Sequence, residues 1–239
     1  MQPSRHTRLL YTHPVPLKDD LIQQTLKQLA ATLQALSGPS DPQVLEKAEI
    51  SLKDAYRKHT GTEAALFRQL PSDQLLGVLS SAGVLDREKA YLIATLFQTE
   101  VALQEKVGEG SAAKNSSVGL QLKALDLYLE AALAELDVDD LNDKIADSSA
   151  ELSGFVLPEA TEWRLFEFAV MRGDYAGAED RLFRLLNDLG PTPAVTQRGQ
   201  RFYSRLRTLP DEKLAVGDLP RAEVEEGQAT FDRAISSAA

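Results

Sequence analysis

Apolar residues recur at three- and four-residue steps along nearly the whole chain, the spacing that lines one face of an α-helix. Leu21, Ile22, Leu26, Leu29, Leu33 and Leu36 set a first helix over residues 17–36, which Gly38 and Pro39 end. Asp41 before Pro42 supplies an N-cap and a first-turn proline for a second helix. Its inner face is Leu45, Ala48, Leu52, Ala55 and Tyr56, and Gly61 closes it. A short piece with Leu66, Phe67 and Leu70 halts at Pro71; Ser72 then opens a helix through Leu75, Leu76 and Leu79 that Gly83 ends. From Asp86 a long helix carries Ala90, Ala94, Phe97 and Val101 on one face and runs to Val107. Glycine, serine and asparagine between Gly108 and Ser117 break the pattern and predict a mobile loop.

Beyond that loop, residues 118–136 pack through Ala124, Tyr128 and Ala131. A helix from Asp137 to Leu152 turns Val138, Leu141, Ile145 and Leu152 inward and an acidic face outward. Pro158 opens a helix with Trp163, Phe166 and Val170, and Gly173 turns the chain into a partner helix with Tyr175, Ala178, Leu182, Leu185 and Leu189. Thr192 and Pro193 start a basic helix on which Val195, Gly199, Phe202, Leu206 and Leu209 share a face, and a last helix with Val224, Phe231 and Ile235 follows Pro220. No stretch alternates apolar and polar residues with turn dipeptides between, so essentially no sheet is predicted. The expected fold is all-α, an irregular bundle or short superhelix of about ten helices. Residues 1–16 are expected to form a flexible arm, 17–83 an N-terminal helical bundle, and 84–239 a helical region continuous with it.

The hairpin around Gly173 is similar to a tetratricopeptide unit, which needs small residues where two helices cross and large ones beside them. Gly173, Tyr175, Ala178, Leu182 and Leu185 supply the second-helix pattern, followed by Gly190-Pro191, but Phe166 occupies the small-residue position of the first helix. Ala124, Tyr128 and Ala131 repeat the small-large-small spacing 54 positions before Ala178, too far for a regular array, with the acidic helix between. An irregular bundle with alanines at its crossings accounts for the same spacing.

Several segments carry a more particular likeness: Asp20 to Leu36, Leu70-Pro71-Ser72-Asp73-Gln74-Leu75-Leu76, Ala124-Leu125-Asp126-Leu127-Tyr128-Leu129, Gly173-Asp174-Tyr175, and Leu219-Pro220-Arg221-Ala222-Glu223-Val224-Glu225-Glu226-Gly227. Through them the chain resembles a bacterial family of uncharacterised proteins known by a placeholder domain name, over most of residues 17–235. The resemblance implies a helical fold and no activity.

Composition narrows the function classes. Apolar residues are 43% and charged residues 26% of the 239, a globular balance. The absence of cysteine excludes disulfides, thiolate nucleophiles and cysteine-held zinc. No stretch is long and apolar enough for a signal peptide or a membrane span, and a cytoplasmic location is expected, with no membrane partner. The net charge of −10 opposes nucleic acid unless a local basic face overcomes it. Charge is unevenly spread: residues 71–157 hold 15 acidic and 6 basic side chains, residues 181–209 hold 1 acidic and 6 basic.

Catalytic chemistry finds little purchase. Of the histidines, His6 and His13 lie in the arm, and His59 ends a helix, where a cation suits the helix dipole. Gly108, Gly110 and Ala113 spell a variant dinucleotide fingerprint, but a helix precedes them where a strand is required. Lys114 lacks the adjacent glycine of a P-loop. The run Asp137, Asp139, Asp140, Asn142, Asp143 and Asp147 fails the calcium-loop spacing: Leu141 takes the fifth position, Asn142 replaces the turn glycine, and Ser148 stands where a bidentate glutamate belongs. It reads as a solvated acidic face. Glu159 with Glu162 and Glu223 with Glu226 are helically spaced glutamate pairs, and both suit capping or surface roles. No catalytic residue, metal site or cofactor is expected.

The sharpest local feature is basic. Arg198, Arg201 and Arg205 form one stripe, with Arg181 and Arg184 on the preceding helix. Guanidinium forks match carboxylates and phosphates, so the stripe suits an acidic peptide tail or a nucleic-acid backbone. It suits equally well internal pairing with the acidic middle helices or with Glu223 and Glu226. Trp163 is either a partner anchor or core. The leucine face of residues 21–36 fits a homodimer seam or an intramolecular one. The leading expectation is a non-enzymatic helical scaffold or adaptor for a protein or peptide partner. The alternatives are a nucleic-acid or anionic-ligand binder using the arginines, and a metal-dependent helical enzyme using carboxylates.

Overall fold

The computed structural model describes residues 15–16, 20–39, 41–61, 64–108 and 111–237. Twelve helices lie among the described residues: α1 (Asp20–Leu36), α2 (Pro42–Thr60), α3 (Ala64–Gln69), α4 (Ser72–Val78), α5 (Arg87–Val107), α6 (Ser111–Leu133), α7 (Leu141–Glu151), α8 (Glu159–Arg172), α9 (Tyr175–Leu189), α10 (Pro193–Arg207), α11 (Asp211–Val216) and α12 (Arg221–Ser236). The strands are two residues each: β1 (Val15–Pro16) runs parallel to β4 (Leu136–Asp137), and β2 (Ser80–Ser81) forms a hairpin with β3 (Val84–Leu85). The fold is all-α, as the periodicity predicts.

Helix ends follow local chemistry. Asp41 accepts from the Gln43 amide at 2.9 Å, Asp86 from Lys89 at 3.1 Å and Asp174 from Gly177 at 3.0 Å, each satisfying an amide that has no intrahelical partner. Gly173 ends α8 at φ +78°, a left-handed conformation that a Cβ penalises.

Of the arm expected at 1–16, residues 1–14 lie outside the described residues, and Val15–Pro16 pair with β4. Three local expectations are corrected. The helix opening at Ser72 ends at Val78, and the chain turns through the β2–β3 hairpin before Asp86. The predicted loop 108–117 is largely helix, since α6 begins at Ser111. Ala112, Ala113 and Lys114 are strong helix formers, and the propensity deficit of Asn115, Ser116 and Ser117 is roughly a few tenths of a kcal/mol per residue, too small to break the helix. The acidic helix starts at Leu141 rather than Asp137, because Leu136 and Asp137 are drawn into pairing with β1. The short α11 carries too little periodicity to be seen in the sequence.

α5 and α6 pack together more extensively than any other pair and form the centre of a first core. α5 is buried almost all round from Ala90 to Phe97, so the one-sided face expected of it is an underestimate: a helix enclosed on all sides has no polar face. α1 and α2 cover α5, while α7 and α8 cover α6. Ile22, Leu29 and Leu36 of α1 are buried within this core, and its leucine face therefore forms an intramolecular seam. A second cluster joins α8, α9, α10, α11 and α12 through Trp163, Phe166, Leu182, Phe202, Tyr203, Leu214 and Phe231. The division between the two clusters runs through α8, which gives Leu165 to the first and Trp163 and Phe166 to the second.

Candidate functional site

The basic stripe sits on α9 and α10, held by the second core. Val195, Gly199, Phe202 and Leu206 face inward from α10, which leaves its arginines on the outer side. Phe202 lies between Phe166 at 5.5 Å and Tyr203 at 5.3 Å, both edge-on, so the helix is seated on a rigid aromatic bed.

The five arginines divide. Arg181 and Arg184 both donate to Glu162 of α8, at 3.0 and 3.1 Å, and the Glu162 carboxylate is buried beneath them. Arg198 reaches Glu167 at 3.2 Å and lies over the Trp163 ring with its guanidinium carbon 4.3 Å from the centroid. Trp163 is core, and Arg198 forms part of its cover. Arg201 and Arg205 are exposed and make no ion pair among the described residues. The counter-charges are thus Glu162 and Glu167, neither the acidic middle helices nor Glu223 and Glu226. Glu162, expected in a capping or surface role, is instead buried, and sequence spacing along α8 does not say which helix lies across it or Glu167.

Arg198 and Arg205 are seven residues apart, two turns of helix, and share a side of α10 roughly 10 Å apart. By helical periodicity Arg205 shares the side of α10 on which Arg198 meets Glu167 of α8, with Arg201 beside it. The face joins one arginine fixed by Trp163 and Glu167 to two that are free.

Two further sets of charges pair within the fold. Arg164 of α8 donates to Glu130 at 2.8 Å and Asp73 at 3.0 Å and lies 3.4 Å from Asp126, so one guanidinium ties α8 to α6 and α4. Burial raises the Asp126 carboxyl above its usual value, against the lowering effect of Ser72, Arg164 and Thr161. On the other side of α5, Tyr91 donates to Asp140 at 2.5 Å, and Lys144 lies 3.1 Å from Gln98 and 3.7 Å from Asp140. Burial lowers the Lys144 amine, which Asp140 partly offsets. The acidic run of α7 is otherwise exposed, and among the described residues no group of three or more histidines and carboxylates is arranged to hold a metal ion. His59 hydrogen-bonds Thr25 at 2.7 Å and so joins α2 to α1. His6 and His13 lie outside the described residues, as does Gly110 of the glycine-rich fingerprint.

A family model described as a family of unknown function, DUF6483, matches residues 16–234. The chain belongs to that family. No curated protein and no solved structure matches it. No helix among the described residues is long and apolar enough to cross a membrane. The family description carries no activity, so function rests on the geometry of the chain itself.

Proposed function

We propose that this protein is a non-enzymatic helical scaffold that works in the cytoplasm and binds an acidic segment of a protein partner along α8 and α10. The observation that carries the proposal is the exposed, unpaired state of Arg201 and Arg205, beside an Arg198 already positioned by Trp163 and Glu167. Free guanidiniums on a helix bind carboxylates without first breaking internal pairs, at a side-chain ordering cost of about 0.5–1.5 kcal/mol for each arginine. The α8–α9 hairpin followed by α10 serves as a tetratricopeptide-like presentation of that face, the form in which helix stacks offer extended binding surfaces.

The test is fluorescence anisotropy with labelled glutamate- and aspartate-rich peptides, their amide-substituted analogues, and a DNA duplex. Wild type should bind the acidic peptides in preference to the analogues, and an Arg201→Ala, Arg205→Ala variant should weaken that binding several-fold, each exposed pair contributing about 0.2–1 kcal/mol. Equal binding of acidic and amide peptides, or no change in the variant, would refute the proposal. Tight duplex binding with a steep salt dependence would replace it with a nucleic-acid function, despite the −10 charge.

A further inference from the structure

A cleft of about 530 Å³ lies between α2, α3 and α5, away from the arginine face. Its walls are largely apolar: Leu45 and Leu52 come from α2, Leu103 and Val107 from α5. Its floor is polar and buried. Glu100, 2% exposed, accepts from the Tyr56 hydroxyl at 3.0 Å on one oxygen and from Gln104 at 3.1 Å on the other, where Arg68 Nε also lies at 2.5 Å. Burial and the adjacent Glu100 raise the Tyr56 hydroxyl, which therefore stays a protonated donor. Gln104 is occupied on its second atom by Ser117 at 3.2 Å.

These bonds engage every floor group except one pair of donors. Arg68 binds Glu100 through Nε, and its Nη1 and Nη2 have no partner among the described residues; the side chain is 45% exposed. A guanidinium anchored at Nε and open at both Nη atoms offers a fixed two-donor edge that a carboxylate matches. The combination of apolar walls and one convergent donor pair, in a cleft within the usual 300–1,000 Å³ or so of ligand sites, defines an amphipathic ligand.

We propose that this cleft binds a small apolar monocarboxylate, with its carboxylate on the Nη edge of Arg68 and its hydrocarbon against Leu45, Leu52, Leu103 and Val107. Long-range electrostatics do not supply the selectivity, because Glu46, Glu49 and Glu100 outnumber Lys53 and Arg68 around the cleft. Lys53 is moreover paired with Glu49 at 2.7 Å. Preference for a carboxylate over an amine of the same chain length therefore depends on the direct Arg68 contact.

Isothermal titration with decanoate, decanol and decylamine below their aggregation limits tests this on the full chain. Decanoate should bind more tightly than either of the others. Arg68→Lys keeps a cation beside Glu100 but removes the two-donor edge, so decanoate affinity should fall by about tenfold or more while decanol is unchanged. Leu103→Trp fills the cleft and should abolish binding of decanoate and decanol alike; if thermal unfolding shows it misfolded, Val107→Trp at the exposed rim serves instead. The proposal is overturned by decanoate binding no tighter than decanol or decylamine, by an unchanged decanoate affinity in Arg68→Lys, or by undiminished binding in a folded, cleft-filling variant.

Discussion

Replacing Gly199 with alanine sets helix propensity against tertiary packing. Gly199 lies in the middle of α10, where propensity alone gives alanine an advantage of about 0.8–1.0 kcal/mol. A Cβ there would stand 2.1 Å from Cζ of Phe231 and 2.7 Å from two neighbouring ring atoms. Restoring ordinary carbon contact near 3.5 Å requires the ring tip to retreat by roughly 1.4 Å. Phe231 has no free side to retreat to: it is fully buried, with Tyr203 at 5.8 Å and Phe183 at 6.3 Å. Overpacking of this kind costs about 1–3 kcal/mol, and a boxed aromatic ring belongs at the upper end. Less the propensity gain, Gly199→Ala should lose about 1–2 kcal/mol. Urea unfolding followed by Trp163 fluorescence is the assay, since that single tryptophan sits in the same cluster as Phe231 and reports it even if the two cores unfold separately. Gly119→Ala in α6 is the control, followed by far-ultraviolet circular dichroism: nothing lies within 4 Å of its added Cβ, so it should gain about 0.5–1 kcal/mol. A Gly199→Ala variant as stable as wild type, or more so, would refute the packing argument.

Arg164→Ala removes the guanidinium shared by Glu130, Asp73 and the buried Asp126; it should cost about 3–5 kcal/mol at pH 7 by denaturant unfolding, and less in acid, where Asp126 can take up a proton. Burial raises the Glu179 carboxyl above 4.5, outweighing its hydrogen bond from Tyr203. The folded state therefore holds that proton more tightly than the unfolded state, and the glutamate's contribution is most favourable below about pH 4.5 and declines as pH rises through the folded value. Glu179→Gln, which keeps an acceptor for Tyr203, should raise the melting temperature at pH 7 and flatten that decline; a variant with the wild-type pH profile would exclude Glu179 as its source. Arg198→Ala uncovers the indole of Trp163 and should shift its emission to the red without a change in helical content, whereas an unshifted spectrum would mean that Arg198 does not shield the ring.

The candidate site was partly legible before any tertiary information. Periodicity places Arg198, Arg201 and Arg205 on one stripe because the α-helical repeat is fixed by backbone geometry. It also places Val195, Gly199, Phe202 and Leu206 on the adjoining face, and all four are buried. What the arginines meet was hidden, because Glu162 lies 19 and 22 positions before Arg181 and Arg184 and Glu167 31 before Arg198, each on a different helix from its partner. The cleft beside Arg68 was invisible for the same reason: Tyr56 and Glu100 are 44 positions apart, and only the packing of α2 on α5 brings them together.

The chain alone determined the all-α class, most helix boundaries and the inward faces, since these follow from local propensity, capping and a 3.6-residue repeat. Where signals were weak or the neighbours distant, tertiary structure decided. It extended α6 through a serine- and asparagine-containing segment, drew Leu136 and Asp137 into a short ladder with Val15 and Pro16, and enclosed α5 on every side from Ala90 to Phe97. It also determined which arginines are free. A guanidinium's availability depends on the carboxylates across from it, and those are chosen by helix packing, a property no local stretch of sequence contains.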